Sequence, residues 1–224
     1  MDQPAILFDI NETVLDLTTL QPKFIAVFGS ESTSATWFSS LLHSSTVCAL
    51  TGIKTDFASL AGAMLDNLSA RLGKSLSDSE RDEILGGFAH LPAHKDVKPA
   101  LQRLRDANYH TVAFSNSSLN LIEQQIENAG LTNYYDSIVS VERSGTFKPD
   151  PRAYQYVAQH LGRSIGDLRL IATHDWDTHG ALSAGMMAGY VDRSGAPYHP
   201  LYRRPNVYAK NLEKVVDQVL IHDA

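Results

Sequence analysis

The chain has 224 residues, with 19 Lys and Arg against 25 Asp and Glu, so its formal net charge at neutral pH is −6. Apolar residues make up 43% of the sequence and charged residues 20%, a globular composition that argues against intrinsic disorder and collagen-like or coiled-coil architecture. An acidic chain lacks the basic surplus that phosphate backbones require, so we expect no nucleic acid partner.

Cys48 is the single cysteine, which excludes an intramolecular disulfide and a CxxC zinc site. We expect it to be a small buried apolar residue. The first five residues lack the basic segment and long apolar stretch of a signal peptide. The sequence contains no run of about 18 apolar residues, so it predicts no membrane span. These features together favour a cytoplasmic protein without a membrane partner.

The first predicted strand is the apolar run at residues 5–9, AILFD, whose pattern suits a strand buried on both faces of a parallel sheet. About 100 residues separate it from the next strand candidate, far too many for one crossover. Residues 37–88 show helical patterns without strand candidates, and Ser77 with Glu80 predicts a capping box at the start of one helix. We therefore predict a helical cap domain at residues 16–92, inserted into a core domain of residues 1–15 and 93–224.

The second half of the chain alternates strand and helix patterns. Strand-like apolar runs recur at residues 110–116, 167–174 and, more weakly, 187–193. Helical patterns lie between and beside these runs, at residues 119–129, 151–161 and 176–184, each ending near a glycine. This alternation predicts βαβ units and an α/β fold with a doubly wound parallel sheet. Residues 194–206 are rich in proline and are interpreted as a surface loop.

Polar side chains follow the predicted strands, at the edge where open parallel sheets bind ligands. They are Asp9, Asn11 and Thr13 after the first strand, Ser115 and Asn116 after the second, and Thr173, His174, Asp175, Trp176 and Asp177 after the third. Lys148 stands in a loop before a helix. Each residue alone could be a turn former, a helix cap or a solvated side chain. Together they have the composition of a site with a carboxylate nucleophile and charge stabilisation.

Four segments in order, residues 8–17, 113–118, 147–154 and 173–181, resemble the four motifs of the haloacid dehalogenase superfamily. Within it, the chain most resembles the type II L-2-haloacid dehalogenases. The resemblance rests on the SN pair, the KPD-x-R-x-Y run, the WD followed by GA, and a helical insertion after the first motif. It implies a Rossmann-like core with a helical cap and a hydrolase that acts on carbon–halide bonds.

A phosphatase of the same fold is the alternative function. Superfamily phosphatases carry a general acid two positions after the nucleophile, where this chain has Asn11, and an amide cannot shuttle protons. They also present an acid pair in the last motif, where this chain has Thr173 and Asp177. The oxygen cage for magnesium therefore looks incomplete, and we expect neither a metal nor another cofactor.

The resemblance implies that Asp9 attacks the carbon bearing the halogen and forms an aspartyl ester, which water then hydrolyses. It assigns Thr13, Lys148 and Asp177 as further catalytic residues, with Lys148 holding Asp9 ionised and Asp177 activating the water. The halogenated carboxylate substrate is expected to lie against Ile10, Asn11, Phe38, Ser115, Asn116, His174 and Trp176, supported by Tyr154 and Thr173. Tyr154 matches a tyrosine that supports the family's lysine.

The chain departs from the best-known family members at two positions: Asn11 replaces a tyrosine, and Phe38 stands where an arginine accepts the departing halide. His174 stands where the family often has asparagine. We therefore expect weak or narrowed turnover of bulky 2-haloacids. Family members commonly dimerise through the cap, so the apolar stretch from Leu41 to Leu50 could support a homodimer or pack within the cap.

Overall fold

The computed structural model describes residues 5–223 and centres on a parallel sheet with the strand order β3-β2-β1-β4-β5-β6. The strands are β1 Ala5–Phe8, β2 Thr111–Ser115, β3 Ser137–Ser140, β4 Leu168–Ala172, β5 Met187–Val191 and β6 Val207–Ala209. The helices are α1 Gln21–Phe28, α2 Ser32–Thr51, α3 Phe57–Arg71, α4 Asp78–Gly87, α5 Val97–Asp106, α6 Leu119–Asn128, α7 Pro151–His160, α8 Asp175–Ala184 and α9 Leu212–His222.

Strand β1 lies at the point where the chain changes direction across the sheet. It pairs with β2 on one side and with β4 on the other, and Leu7 stands opposite both Val112 and Leu170. All four residues of β1 are fully buried, which explains its uninterrupted apolar run. The α/β doubly wound prediction is confirmed, and ligand sites in such sheets lie at this crevice beside the carboxyl ends of the strands.

Strands β3 and β6 were not predicted from the sequence. Strand β3 begins and ends with serine and is only half-buried at its start, and β6 has three residues. Both lie at the edges of the sheet, where burial is lower and the apolar signal weaker. The predicted surface loop at residues 194–206 carries no helix or strand.

Helices α1–α4 and two short 3₁₀ turns occupy residues 17–90. The chain leaves and re-enters the sheet region side by side, because the Asp16 N–H donates to Pro92 O at 2.8 Å and the His94 N–H donates to Val14 O at 3.0 Å. The capping box of Ser77 and Glu80 is present at the start of α4, as predicted. The division into a cap at 16–92 and a core around it stays a prediction.

The interior of this helical segment contains an aromatic cluster, which we define as Phe24, Trp37, Phe38 and Phe88. Neighbouring ring centroids in the cluster lie 5.3–6.3 Å apart. The Trp37 indole N–H donates to Ala61 O at 2.9 Å, which satisfies the polar atom of the buried ring.

Leu41 and Cys48 in α2 are buried, whereas Leu50 is 86% exposed. The stretch from Leu41 to Leu50 thus packs partly within the helical segment, and the homodimer stays a prediction. Among residues 5–223, no helix combines the length and apolar character that a membrane crossing would need.

Candidate active site

Asp9 follows β1 directly, and its carboxylate is almost completely buried. Oxygen Oδ1 accepts a hydrogen bond from Lys148 Nζ at 2.9 Å. Oxygen Oδ2 accepts from the Thr13 hydroxyl at 2.8 Å and lies 3.0 Å from His174 Nδ1. The structure thus brings four residues of the predicted site together at the carboxyl end of the central strand.

Lys148 places its ammonium group between two carboxylates. Its Nζ donates to Asp9 Oδ1, to Asp177 Oδ2 at 2.7 Å and to Phe114 O at 3.3 Å, so all three ammonium hydrogens have acceptors. The lysine is held from its backbone as well, because its N–H donates to Asn116 Oδ1 at 2.9 Å. Asn116 therefore fixes the loop that carries the lysine.

Asp177 lies in the first turn of α8 and is fully buried. The Tyr154 hydroxyl donates to Asp177 Oδ1 at 2.6 Å, so Tyr154 contacts the partner of the lysine, where we expected it to support the lysine itself. Gly180 permits this approach, because a Cβ atom at that position would lie 2.5 Å from the Tyr154 oxygen.

Burial and charge separate the two carboxylates in proton affinity. Burial opposes ionisation of Asp9, but the Lys148 charge and the His174 hydrogen bond outweigh it and hold the pKa of Asp9 well below its usual range. The pKa of Asp177 is raised. Burial is the largest cause, and the negative charge of Asp9 adds to it, whereas the positive charge of Lys148 acts in the opposite direction without cancelling them. Divergent pKa values in neighbouring acids favour one ionised nucleophile and one proton acceptor.

Lys148 and Tyr154 both stay protonated at neutral pH, because the pKa of each group is raised above its usual value. Burial lowers the pKa of Lys148, but the charges of Asp177 and Asp9 outweigh burial and raise it above its usual value. Burial and the negative charge of Asp177 raise the pKa of Tyr154. Both groups therefore remain donors to the carboxylates at neutral pH.

His174 lies between Asp9 and an acid that the sequence analysis missed. Its Nε2 lies 2.8 Å from Glu12 Oε2, and its ring stacks on Trp176 with the centroids 5.1 Å apart. Phe38 approaches from the aromatic cluster, with its centroid 6.2 Å from that of His174. Burial lowers the pKa of His174, but the bonds to Asp9 and Glu12 outweigh burial and raise the pKa to about 10.

The other predicted residues brace the site. Thr173 donates its backbone N–H to Thr13 Oγ1 at 2.9 Å, which orients the hydroxyl toward Asp9. Ser115 Oγ accepts from the Ser117 N–H at 3.2 Å. The Ile10 side chain is fully buried, and its carbonyl oxygen accepts from the Val14 and Leu15 N–H groups.

Asn11 uses its side-chain amide within the protein. The amide donates to Ser117 Oγ at 3.2 Å and accepts from Gln125 Nε2 at 3.0 Å. Gln125 in α6 also donates to Phe88 O at 2.8 Å, so it links the first loop to the helical segment. Sequence analysis missed Gln125, because a buried glutamine in a helix carries no local signal of a partner 114 positions away.

The donor set around Asp9 does not fit a magnesium ion. Two cations, Lys148 and His174, already bind the Asp9 oxygens, and Lys148 also binds Asp177. A divalent cation needs several free oxygen ligands. Within residues 5–223, no group of three or more His, Cys, Asp or Glu side chains is arranged to hold a metal ion.

Curated relatives match almost the whole chain. An (S)-2-haloacid dehalogenase of Pseudomonas fluorescens is 25% identical over 93% of this chain and 93% of its own. An (S)-2-haloacid dehalogenase of Pseudomonas sp. strain CBS-3 is 27% identical over 86% of each.

Solved structures share the fold. The L-2-haloacid dehalogenase of Xanthobacter autotrophicus superposes with a TM-score of 0.90 at 22% identity, over 98% of this chain and 99% of its own. The same enzyme with chloropropionic acid covalently bound gives 0.89. A putative HAD-hydrolase of Bacillus subtilis bound to magnesium gives 0.75 at 16% identity, over 98% of this chain and 99% of its own.

The family model described as haloacid dehalogenase-like hydrolase matches residues 4–168, well over half of the chain. This match spans the first strand, the helical segment and the loop of Lys148. The chain therefore belongs to the haloacid dehalogenase-like hydrolase family.

Proposed function

We propose that this protein hydrolyses short (S)-2-haloalkanoic acids to 2-hydroxy acids and halide through an ester at Asp9. One observation carries the proposal: the buried side chain of Asp9 shares the Lys148 ammonium with a second buried acid, Asp177. Relatives named as (S)-2-haloacid dehalogenases at about a quarter identity support the same reaction.

In the first step, an Asp9 oxygen attacks the carbon bearing the halogen from the side opposite the halogen. The carbon–halogen bond breaks, its electron pair leaves with the halide, and the configuration at carbon inverts. A halide needs no proton to leave, so no general acid is required at position 11. The bonding of the Asn11 amide to Ser117 and Gln125 agrees with this chemistry.

In the second step, water attacks the carbonyl carbon of the Asp9 ester. Asp177 takes the proton from the water, since Asp9 is esterified at this stage and burial raises the pKa of Asp177. The bond between the carbonyl carbon and the ester oxygen then breaks, and the proton passes from Asp177 to the departing alkoxide. Water thus supplies the new oxygen of Asp9, and a proton is released to solvent.

The substrate carboxylate is assigned to the ends of β2 and β4. The Asn116 amide nitrogen is available there, because its oxygen is the atom that accepts from Lys148 N–H. Trp176 and Phe38 supply apolar surface beside His174 for the carbon chain.

The decisive experiment measures halide release from (S)-2-chloropropionate in EDTA, beside hydrolysis of p-nitrophenyl phosphate with magnesium. We expect halide release that EDTA does not reduce, and no magnesium-dependent phosphatase activity. Magnesium-dependent phosphate release without halide would establish the phosphatase alternative.

The covalent step has its own test. Asp9→Asn should abolish halide release. The control is Asp66→Asn, which should leave halide release unchanged, because Asp66 is an exposed acid on α3 that pairs with Arg81 on α4. In oxygen-18 water under single-turnover conditions, the label should appear in Asp9 before it appears in the hydroxy acid. Label that appears first in the product would contradict the ester.

We further infer a cytoplasmic homodimer with the exposed Val47 and Leu50 of α2 in its interface. Light scattering at micromolar concentration should give twice the mass of one chain. A monomer that persists at this concentration would contradict the homodimer and leave the proposed reaction untouched.

A further inference from the structure

Glu12 lies in the loop after β1, and its carboxylate contacts His174 of the site. Its φ is +63°, in the left-handed region that residues other than glycine seldom occupy. The backbone strain accompanies one specific contact, the 2.8 Å approach of Glu12 Oε2 to His174 Nε2.

Asp9, His174 and Glu12 form a chain of contacts that leads from the nucleophile toward the surface. Nδ1 lies 3.0 Å from Asp9 Oδ2, Nε2 contacts Glu12, and the ring is held between Trp176 and Phe38. Glu12 and His174 also line a cavity of about 280 Å³, where the other charged or titratable groups are Asp16, His94 and Arg193. Arg193 pairs with Asp96 and donates to Thr13 O, so its charge is already matched.

The two oxygens of Asp9 have different surroundings. Within residues 5–223, Oδ2 has two partners, the Thr13 hydroxyl and His174, whereas Oδ1 has one, the Lys148 ammonium. A carboxylate oxygen with two donors has both in-plane lone pairs engaged, whereas Oδ1 keeps one free to attack carbon. Oδ1 therefore becomes the ester oxygen, and Oδ2 becomes the ester carbonyl oxygen.

We propose that Glu12 is a positioning residue for ester hydrolysis, which holds His174 as a doubly protonated donor to Asp9 Oδ2. The inference rests on the proposed dehalogenase function and adds a division of labour between the two sides of Asp9. When water attacks the carbonyl carbon, the electron pair of the C=O bond moves onto Oδ2. Thr13 and His174 stand 2.8 and 3.0 Å from that oxygen, within the range of oxyanion-stabilising donors.

This arrangement acts on the second step more than on the first. The negative charge on Oδ2 falls as Asp9 is alkylated and rises again as the tetrahedral intermediate forms. Collapse of that intermediate breaks the bond from carbon to Oδ1, which departs with the substrate and takes the proton held by Asp177. The charge of His174 thus contributes where the oxyanion forms, and the Glu12 carboxylate maintains that charge.

The first arm of the test reads the histidine itself. In protein labelled with nitrogen-15 histidine, both ring nitrogens of His174 should remain protonated at pH 8, because the pKa of about 10 lies well above that pH. The His174→Gln variant assigns the signals by their loss. Glu12→Gln should lower the titration midpoint by about two pH units, whereas Glu83→Gln, an exposed acid beside Lys23, should not change it. A neutral His174 at pH 8 in the wild type overturns the inference alone.

The second arm separates the two chemical steps with (S)-2-chloropropionate. In Glu12→Gln, the halide burst should keep its rate, while decay of the alkylated enzyme, followed by mass spectrometry, should slow at least tenfold at pH 9. The defect should shrink at pH 6, where His174 is protonated without Glu12. Glu12→Gly, which relieves the positive φ, should reproduce the defect and excludes misfolding as its cause.

Equal slowing of burst and decay, or a defect independent of pH, overturns the positioning role. His174→Asn keeps a neutral donor and should show slow decay without the alkaline loss. A wild-type protein that retains the charged histidine but releases no halide from 2-haloacids overturns the proposed function and the catalytic part of the inference together.

Discussion

The edge of the sheet and the helical segment beside it bury different kinds of side chain. At the sheet edge, Asp9, Lys148 and Asp177 are each at most 5% exposed, and their charges face one another. In the helical segment, the buried interior is apolar and includes the aromatic cluster around Trp37. The two regions meet where the Phe38 ring approaches His174.

This difference indicates that the buried charges serve mainly the reaction, whereas the buried aromatic rings serve mainly the stability of the fold. Buried ion pairs contribute little net stability, because desolvation offsets their attraction, but losing one partner leaves an uncompensated charge. Buried aromatic rings stabilise through the area removed from water. The burial of the three charged residues also keeps water away from them, which strengthens their interaction at the moment of reaction.

Replacing the central cation should have the largest effect. Lys148→Met leaves Asp9 and Asp177 facing each other without a shared ammonium, so kcat/KM should fall at least about 10³-fold. The free energy of unfolding should fall by about 3–5 kcal/mol at pH 7. Halide release and urea denaturation measure the two effects, and Lys74→Met, an exposed lysine, is the matched control.

The stability loss in Lys148→Met should depend on pH. The folded pKa of Asp9 lies below its unfolded value, so its contribution is present above about pH 4 and disappears as pH falls through the folded pKa. The difference between variant and wild type should therefore shrink from pH 7 toward pH 3. A difference that stays constant over this range would show that the ion pairs do not cause it.

Sequence analysis could predict the sheet edge because parallel strands end together. Once the apolar runs are assigned, Asp9 and Asp177 are expected at the same edge of the sheet, and the structure pairs their strands as neighbours. The role of Lys148 follows from the resemblance of residues 147–154 to a family motif. The fold was thus accessible from local patterns and their order along the chain, and the central charges were accessible from the same patterns together with that resemblance.

Other features depend on contacts that no local pattern encodes. Glu12 reaches His174 from a left-handed backbone conformation that the residue type does not favour. Gln125 reaches Asn11 from the middle of a helix, and Tyr154 contacts the acid partner of the lysine. These contacts are set by the packing of distant segments, so only the folded structure reveals them.

Opening the aromatic cluster should give the second largest effect, on stability more than on chemistry. Trp37→Ala removes ring contacts to Phe24 and Phe88 and should lower the free energy of unfolding by about 3–5 kcal/mol. Because no charge is lost, this decrease should be the same at pH 3 and pH 7, unlike that of Lys148→Met. Urea denaturation at both pH values measures it.

The control for Trp37→Ala is Ile25→Ala in α1, an exposed apolar residue whose loss should change stability by no more than about 0.5 kcal/mol. A Trp37→Ala variant as stable as the wild type would show that the aromatic cluster contributes little to the folded state. A decrease that changes with pH would couple the cluster to the charged site.

The smallest effect is expected at Phe38, where the two regions meet. The ring is 3% exposed and lies beside His174, so it limits the space for the substrate carbon chain. The wild type should favour chloroacetate over longer 2-haloalkanoates, and Phe38→Ala should raise kcat/KM for 2-chlorobutyrate relative to chloroacetate about tenfold. Phe38→Arg should not do so, because its guanidinium would be buried beside the charged His174. Equal rates on chloroacetate and a long-chain 2-haloalkanoate in the wild type would show that Phe38 does not bound the pocket.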